Sequence, residues 1–281
     1  MHKDSFWPVI LPQQIPDERE IQMSANNVLV LKVGGALLQC EMGMERLMNT
    51  AKQLLESGQQ VILVHGGGYL VDEQLKVNGM DTVKLDGLRV TPAEQMPIIA
   101  GALAGTSNKL LQGAARKAGV RSVGMSLCDG NLVSAVIKDE RLGMVGEVSP
   151  QDAALLHFAM SQGWLPIISS IAMSDEGELL NVNADQAASV LAKLVGAKLV
   201  LLSDVSGVLD GKGKLIESLD SQSISELVQQ GVIEKGMKVK VEAALEVAQW
   251  LGRPVQVASW RDAQQLAALV RGEAIGTQIQ P

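Results

Sequence analysis

Leu31-Lys32-Val33-Gly34-Gly35-Ala36 closes an apolar run that begins at Val28. A buried strand here delivers a lysine and then two glycines at its carboxyl end. Val61-Ile62-Leu63-Val64-His65-Gly66-Gly67-Gly68 nearly repeats the arrangement. Glycine permits a tight turn and leaves peptide N–H groups uncovered. A helix starting after each turn points its positive end at the same place. Two such turns in one domain suit a phosphate, and Lys32 adds a full positive charge. The structural alternative is that glycine merely lets strand and helix pack closely. Neither stretch is G-x-x-x-x-G-K-[ST] or G-x-G-x-x-G after a strand, which disfavours a P-loop NTPase or a dinucleotide-binding dehydrogenase.

Outward from these turns, apolar runs and amphipathic stretches alternate along nearly the whole chain. Strands are expected at 28–33, 60–64, 120–126, 165–170, 198–203 and 254–258. Helices are expected near 44–57, 68–77, 92–118, 150–162, 184–195, 222–230, 238–251 and 262–270. This alternation predicts an α/β fold with a mainly parallel sheet flanked by helices. Gly58, Gly119, Gly163, Gly196, Gly231 and Gly252 each fall just past a helical pattern, where a left-handed residue ends a helix. Segment 131–148 reads as a hairpin, and Asp210-Gly211-Lys212-Gly213-Lys214 as a hairpin turn. Turn signals at 174–177 place a lobe boundary near 172–197.

The 281 residues are 47% hydrophobic and 20% charged, enough for one large α/β domain or two lobes. A net charge of −7 argues against nonspecific nucleic-acid binding, and 2% aromatics against stacking platforms for single strands. Cys40 and Cys128 lie far apart without metal-ligand spacing and read as buried free thiols in a reducing cytoplasm. Three histidines make a zinc site improbable, and no apolar run reaches membrane-spanning length. Residues 1–26 contain Pro8, Pro12 and Pro16 and lack the basic and apolar regions of a signal peptide. They are expected to form a loosely ordered extension, with a docking arm or a misplaced start site as the alternatives.

Lys32 sits at the strand end where open α/β sheets bind ligands, and its charge needs a partner there. Snorkelling to the surface is the alternative. Asn181-Val182-Asn183-Ala184-Asp185 precedes a helix, and Asn183 as N-cap with Asp185 as first-turn acid explains the pair structurally. Ser203-Asp204-Val205-Ser206-Gly207-Val208-Leu209 ends another apolar strand, and either holds a nucleotide or turns the chain. Lys238 and Lys240 lie early in a helix, where a cation opposes the dipole and hints at a nearby anion. Arg89 is either a surface residue or a bidentate clamp for a carboxylate. His65 has no nucleophile motif beside it, which favours a role in orienting its turn over acid–base work. The small-residue stretch 101–105 allows close packing on a sheet or a symmetry mate.

LKVGG, VHGGG, DGLRVT, GALAGTSNK, NVNADQAA, LLSDVSGVLDGKG and GRPVQVASW together resemble the amino acid kinase family over residues 27–279. GLRVT with NVNADQAA is the more specific part and points to its acetylglutamate branch. The resemblance implies an open three-layer αβα sandwich of two lobes. Residues 27–195 would bind the acyl amino acid and form a homodimer, and 196–281 would bind ATP. The implied reaction moves the γ-phosphoryl of MgATP to the side-chain carboxylate of N-acetyl-L-glutamate, in microbial arginine synthesis. Lys32 and Lys240 would flank the transferred group, with Asp185 orienting both. Gly35, Gly67 and Gly68 would donate backbone N–H bonds. Arg89 and Asn181 would clamp the α-carboxylate and acetamido end. Asp204, Val205, Ser206, Gly207, Val208 and Leu209, with Val232, Ile233 and Glu234, would line the nucleotide site. Mg²⁺ would be held by phosphates and water, without protein ligands.

Arginine-inhibited members of the family look longer at the N-terminus, with a helix that joins dimers. The prolines of residues 1–26 make them a poor match, so an arginine-insensitive homodimer without a nitrogen-signalling partner is expected. The rivals are another amino acid kinase, such as an aspartate kinase, and an inactive amino-acid sensor on the same fold. Arg89, Asn181 and the absence of a regulatory domain after residue 281 weigh against the first. Lys32, Lys240 and Asp185 weigh against the second.

Overall fold

The computed structural model describes residues 27–85 and 87–281, so the expectations for residues 1–26 lie outside it. Strand β1 (Val28–Val33) leads through its glycines and a 3₁₀ turn (Leu37–Gln39) into α1 (Glu41–Glu56). Strand β2 (Gln60–His65) runs into α2 (Gly68–Val77), followed by the hairpin of β3 (Val83–Leu85) and β4 (Leu88–Val90). A long helical run then comprises a 3₁₀ turn (Ala93–Gln95), α3 (Met96–Ala100), a π-helical segment (Gly101–Ser107) and α4 (Asn108–Lys117). Next come β5 (Ser122–Ser126), the hairpin of β6 (Val133–Ile137) and β7 (Gly146–Pro150), α5 (Ala154–Ser161) and β8 (Leu165–Ser169). The hairpin of β9 (Ile171–Met173) and β10 (Leu179–Asn181) precedes α6 (Ala184–Leu194). The chain closes with β11 (Lys198–Ser203), β12 (Ser218–Leu219), α7 (Ser221–Gln229), α8 (Lys235–Leu251), β13 (Val255–Ser259), α9 (Ala263–Val270) and β14 (Thr277–Ile279).

Eight strands form one sheet in the order β12-β14-β13-β11-β1-β2-β8-β5. The pairs from β13 through β5 are all parallel, and β14 runs antiparallel to β13. The sheet divides cleanly by chain position. Strands contributed before residue 195 lie on one side of the β1–β11 line, and those after it on the other. Turn signals at 174–177 close the β9–β10 hairpin, where Ser174 N–H donates to Glu178 O and Gly177 N–H to Ser174 O.

Strand periodicity decides which side chains reach which layer. Val28 and Val30 of β1 pack with Ala187, Ala188 and Leu191 of α6 and Val241 and Ala244 of α8. Leu29, Leu31 and Val33 face Leu47 and Met48 of α1, Leu111 of α4 and Leu266 of α9. Both faces of the sheet are thus sealed by aliphatic side chains, each contributing about 1.5–3 kcal/mol on burial. Lys32 follows the even-numbered set and is delivered to the α6 side. His65 follows the odd-numbered residues of β2 and is delivered to the α4 side.

The expected strands and helices form within a few residues of their expected ends. The six glycines expected past helix ends all have positive φ, and Gly252 closes α8 with φ 64°. The stretch 92–118 is the main departure, because its middle widens into a π-helix. Gly101, Ala102, Ala104 and Gly105 crowd a wide turn little, so the small-residue run shows itself as a change of helical register. The short strands β3, β4, β9, β10, β12 and β14 were not expected. None exceeds three residues, which is too short for an alternation signal.

Candidate active site

The two glycine turns meet. A Cβ built on Gly35 would lie 3.3 Å from Gly68 N and 3.5 Å from Gly67 Cα, so the first turn rests against the second. The N-terminus of α6 joins them, since a Cβ on Gly66 would lie 3.2 Å from Ala184 Cβ. Gly67 has no room for a side chain either: its Cβ would sit 2.6 Å from Ser107 Oγ and 2.9 Å from Leu103 Cδ2. No side chain caps α2, and Gly67 and Gly68 donate their N–H groups to no other group among the described residues. Such uncovered amides at a helix start are anion donors.

Lys32 Nζ pairs with Asp185 Oδ1 at 2.9 Å, with side-chain exposures of 17% and 32%. The lysine therefore stays at the strand end and does not snorkel away. Asn183 also caps α6, accepting from Asp185 N at 2.8 Å and Gln186 N at 3.3 Å. The capping account and the lysine-orienting account thus hold together: the cap fixes the first turn, and that turn aims the Asp185 carboxylate at Lys32. Lys240 differs from expectation. Its Nζ pairs with Asp204 Oδ1 at 2.7 Å, not with Asp185. The Lys240 hydrogen bond holds the Asp204 carboxyl below the ordinary aspartate value, against its partial burial. Register explains the pairing, because Asp204 directly follows the end of β11, the strand beside β1.

Arg89 lies on β4 with a side chain only 10% exposed. Its Nη2 donates to Asp72 Oδ1 at 2.7 Å and to Gly68 O at 3.2 Å, and Nη1 donates to Thr82 Oγ1 at 2.9 Å. Burial alone would raise the Asp72 carboxyl, but hydrogen bonds from Arg89 and Thr82 hold it below its ordinary value. The guanidinium is therefore tied directly to the second glycine turn. Asn181 stands at the end of β10, its Nδ2 donating to the buried Thr91 Oγ1 at 3.1 Å.

His65 is fully buried, and burial drives its imidazole down to about 4 despite the hydrogen bond to Gly66 O. The carbonyl can only accept, so Nδ1–H donates to Gly66 O at 2.9 Å. Nε2 is then an acceptor for Asn108 Nδ2 at 3.1 Å. The same amide donates to Ile167 O at 2.8 Å, which ties β2, β8 and α4 together behind the turn. A neutral imidazole with both nitrogens engaged is an orienting group and not an acid or base.

The second half of the sheet supplies the other wall. Asp204, Val205 and Ser206 leave β11 in a turn that Ser203 Oγ stabilises by accepting from Val205 N at 3.2 Å. Gly207 has φ 134°, and a Cβ there would lie 2.7 Å from Leu215 Cδ1 and from Thr277 Oγ1, which accepts from Val208 N at 2.8 Å. Leu209 is exposed at this edge. Val232 and the buried Ile233 form the link to α8, where Glu234 occupies the N-cap without a side-chain bond. Among the described residues no three His, Cys, Asp or Glu side chains converge as a metal site. A surface depression of about 570 Å³ is lined by Asp72, Lys76, Met80, Asp81, Thr82 and Lys84 and includes neither Lys32 nor Lys240.

The structure thus brings Lys32, Asp185, Gly35, Gly67, Gly68 and Arg89 together, and sets Lys240 beside Asp204 across the β1–β11 line. Asp72, Thr82, Ser107 and Asn108 were missed. Asp72 carried one usable signal, since it lies four residues after Gly68 and so on the same face of α2.

Comparison with known proteins accords with this geometry. The pattern of the amino acid kinase family matches residues 27–259. An acetylglutamate kinase of Shewanella amazonensis is 84% identical over 91% of this chain and 98% of its own length. Another, from Shewanella sp. strain MR-7, is 79% identical over 92% of this chain and all of its own length. The solved structure of smu.665 from Streptococcus mutans UA159 superposes with a TM-score of 0.73 at 28% identity, covering 90% of this chain and 98% of that one. With the family pattern over most of its length and relatives of this identity, the chain belongs to the amino acid kinase family, among the acetylglutamate kinases.

Proposed function

We propose that this protein transfers the γ-phosphoryl of MgATP to the side-chain carboxylate of N-acetyl-L-glutamate, giving the acyl phosphate and ADP. The observation that carries the proposal is the Lys32–Asp185 pair set against two touching glycine turns. A carboxylate oxygen attacks the γ-phosphorus while its bond to the ADP bridging oxygen breaks. The acceptor is already ionised at neutral pH, so no general base is required. The neutral, fully engaged His65 fits that chemistry. Catalysis is then positioning and charge stabilisation.

Lys32 stabilises charge on the transferred group, held in place by Asp185. The amides of Gly35, Gly67 and Gly68 receive phosphoryl and acceptor oxygens. Arg89 and Asn181 clamp the α-carboxylate and acetamido end, on the side built from residues 27–195. Residues 204–209 and 232–234 receive the nucleotide, on the side built from 196–281. Mg²⁺ accompanies the phosphates and offsets their charge. Lys240 reaches the phosphoryl group by exchanging Asp204 for the phosphates, its side chain being long and 40% exposed. The helical run through 101–107 is the face on which two copies pair, and the enzyme serves arginine synthesis in the cytoplasm.

ADP release tests this proposal. It is measured with MgATP and N-acetyl-L-glutamate against aspartate, glutamate and carbamate, with and without L-arginine. Turnover with N-acetyl-L-glutamate alone is expected, unaffected by arginine. Turnover with aspartate or carbamate instead would reassign the acceptor.

A further inference from the structure

Arg89 is held by a closed ring. Its Nη2 donates to Asp72 Oδ1, and its Nη1 donates to Thr82 Oγ1. The Thr82 hydroxyl passes its own proton to the same Asp72 oxygen at 2.8 Å. The second Nη2 proton goes to Gly68 O. Counting donors, a guanidinium has five N–H groups. Three are committed, which leaves Nε–H and one Nη1–H on opposite edges of the group, each able to make a single bond to a ligand oxygen. The ring also joins three pieces of chain: α2, the loop before β3, and β4. Arg89 is largely buried, and a buried cation is held only where a counter-charge meets it. Asp72 supplies that charge from the solvent side, with its own side chain 43% exposed.

We propose that Asp72, with Thr82 as its relay, is a positioning residue that sets the orientation of the Arg89 guanidinium for the acceptor's α-carboxylate. The proposal rests on Arg89 being that clamp. A carboxylate beside a clamp can act in two opposite ways. It can compete with the ligand for the guanidinium, or it can fix the guanidinium's orientation. The donor count favours the second. Asp72 accepts a hydrogen bond from the nitrogen whose other N–H already serves Gly68 O, so Nε–H stays free for the ligand. The ring also holds Arg89 against the glycine turn, linking the clamped end of the acceptor to the phosphoryl end.

The test is steady-state kinetics on the full chain with Arg89→Ala, Asp72→Ala, Asp72→Asn, Thr82→Val and the Asp72→Ala/Arg89→Ala double variant. Asp72→Ala should raise KM for N-acetyl-L-glutamate about tenfold and leave KM for ATP within about twofold, the size of an ordinary contact coupling. Asp72→Asn keeps an oxygen that accepts from both partners and should recover to within about threefold of the parent. Thr82→Val keeps the side-chain volume, loses the relay, and should fall between the two. The double variant should match Arg89→Ala alone, because a positioning residue has nothing left to position. An unchanged or lowered acceptor KM in Asp72→Ala would overturn the proposal, and lowering would identify a competitor. Additive losses in the double variant would also overturn it. If Arg89→Ala itself left the acceptor KM unchanged, the clamp would be wrong and the proposal would fall with it, through a different variant.

Discussion

The two lysines of the site are held differently. Lys32 is enclosed, 17% exposed, and meets an aspartate fixed by a capped helix turn. Lys240 is 40% exposed and meets an aspartate that is itself 52% exposed. The contrast extends to their surroundings. Behind the first lie the touching glycine turns, the His65–Asn108 pair and the Arg89 ring. Around the second are a turn and an uncapped helix start. One half of the sheet is built to fix positions before anything binds. The other presents charge on a side chain free to move. Preorganised donors make the larger contribution to stabilising developing charge.

The sharpest way to break this comparison is to remove each lysine. Lys32→Ala should lower kcat by about 10²–10³ with little change in melting temperature. Lys240→Ala should cost less, about tenfold, and equal losses in rapid-quench turnover would erase the distinction. Next in size is a pH effect on stability. His65 is neutral when folded at about pH 4 and above, whereas the unfolded residue titrates at its ordinary 6.5. The unfolded state therefore binds the extra proton between these values. Stability is full above pH 6.5 and falls as pH drops towards 4, by roughly 3 kcal/mol. Urea unfolding across this range, parent against His65→Gln, should show the slope shrink in the variant. A parallel pair of curves would mean that His65 does not carry this pH dependence.

Gly67→Ala follows. Its methyl would meet Ser107 Oγ and Leu103, so a loss of about 1–3 kcal/mol in denaturation is expected, together with lost turnover. Adding Ser107→Ala should recover part of the stability. That hydroxyl is fully buried without a hydrogen-bond partner among the described residues, so removing it costs little and makes room. The smallest effect belongs to the open side. Asp204→Ala should change stability by less than about 1 kcal/mol, as exposed ion pairs do. A larger loss would show that the second half is as tightly built as the first.

Much of this contrast was legible in the sequence, though unevenly. Lys32, both glycine turns and Asn183 announce themselves locally, because strand period and capping are short-range rules. The orienting role of His65 followed from what it lacked, a nucleophile, and the Asn108 amide supplies the mechanism. The Lys240–Asp204 pair was not legible. It depends on where an early turn of α8 comes to rest beside the end of β11, which packing decides. The Arg89 ring was half legible: the arginine stood out, but Asp72 and Thr82 join it only because the β3–β4 hairpin folds back over α2. Three-residue strands carry too little alternation to foretell that fold-back. The π-helical segment escaped for a related reason, since small residues accommodate either helical register equally well in a sequence.

The position of β1 has a consequence for how the chain comes to be folded at all. Among the described residues, the first strand in the chain is one of the two central strands of the sheet, and one of its edges is filled only by residues 198–203. At synthesis rates of about 5–20 residues per second, that edge waits on the order of ten seconds or more for its partner to emerge. Throughout that interval a run of valine and leucine with an open ladder of backbone donors and acceptors is free to pair with another nascent chain. The strand that carries Lys32 is thus an edge at which newborn copies of this protein are exposed to aggregation.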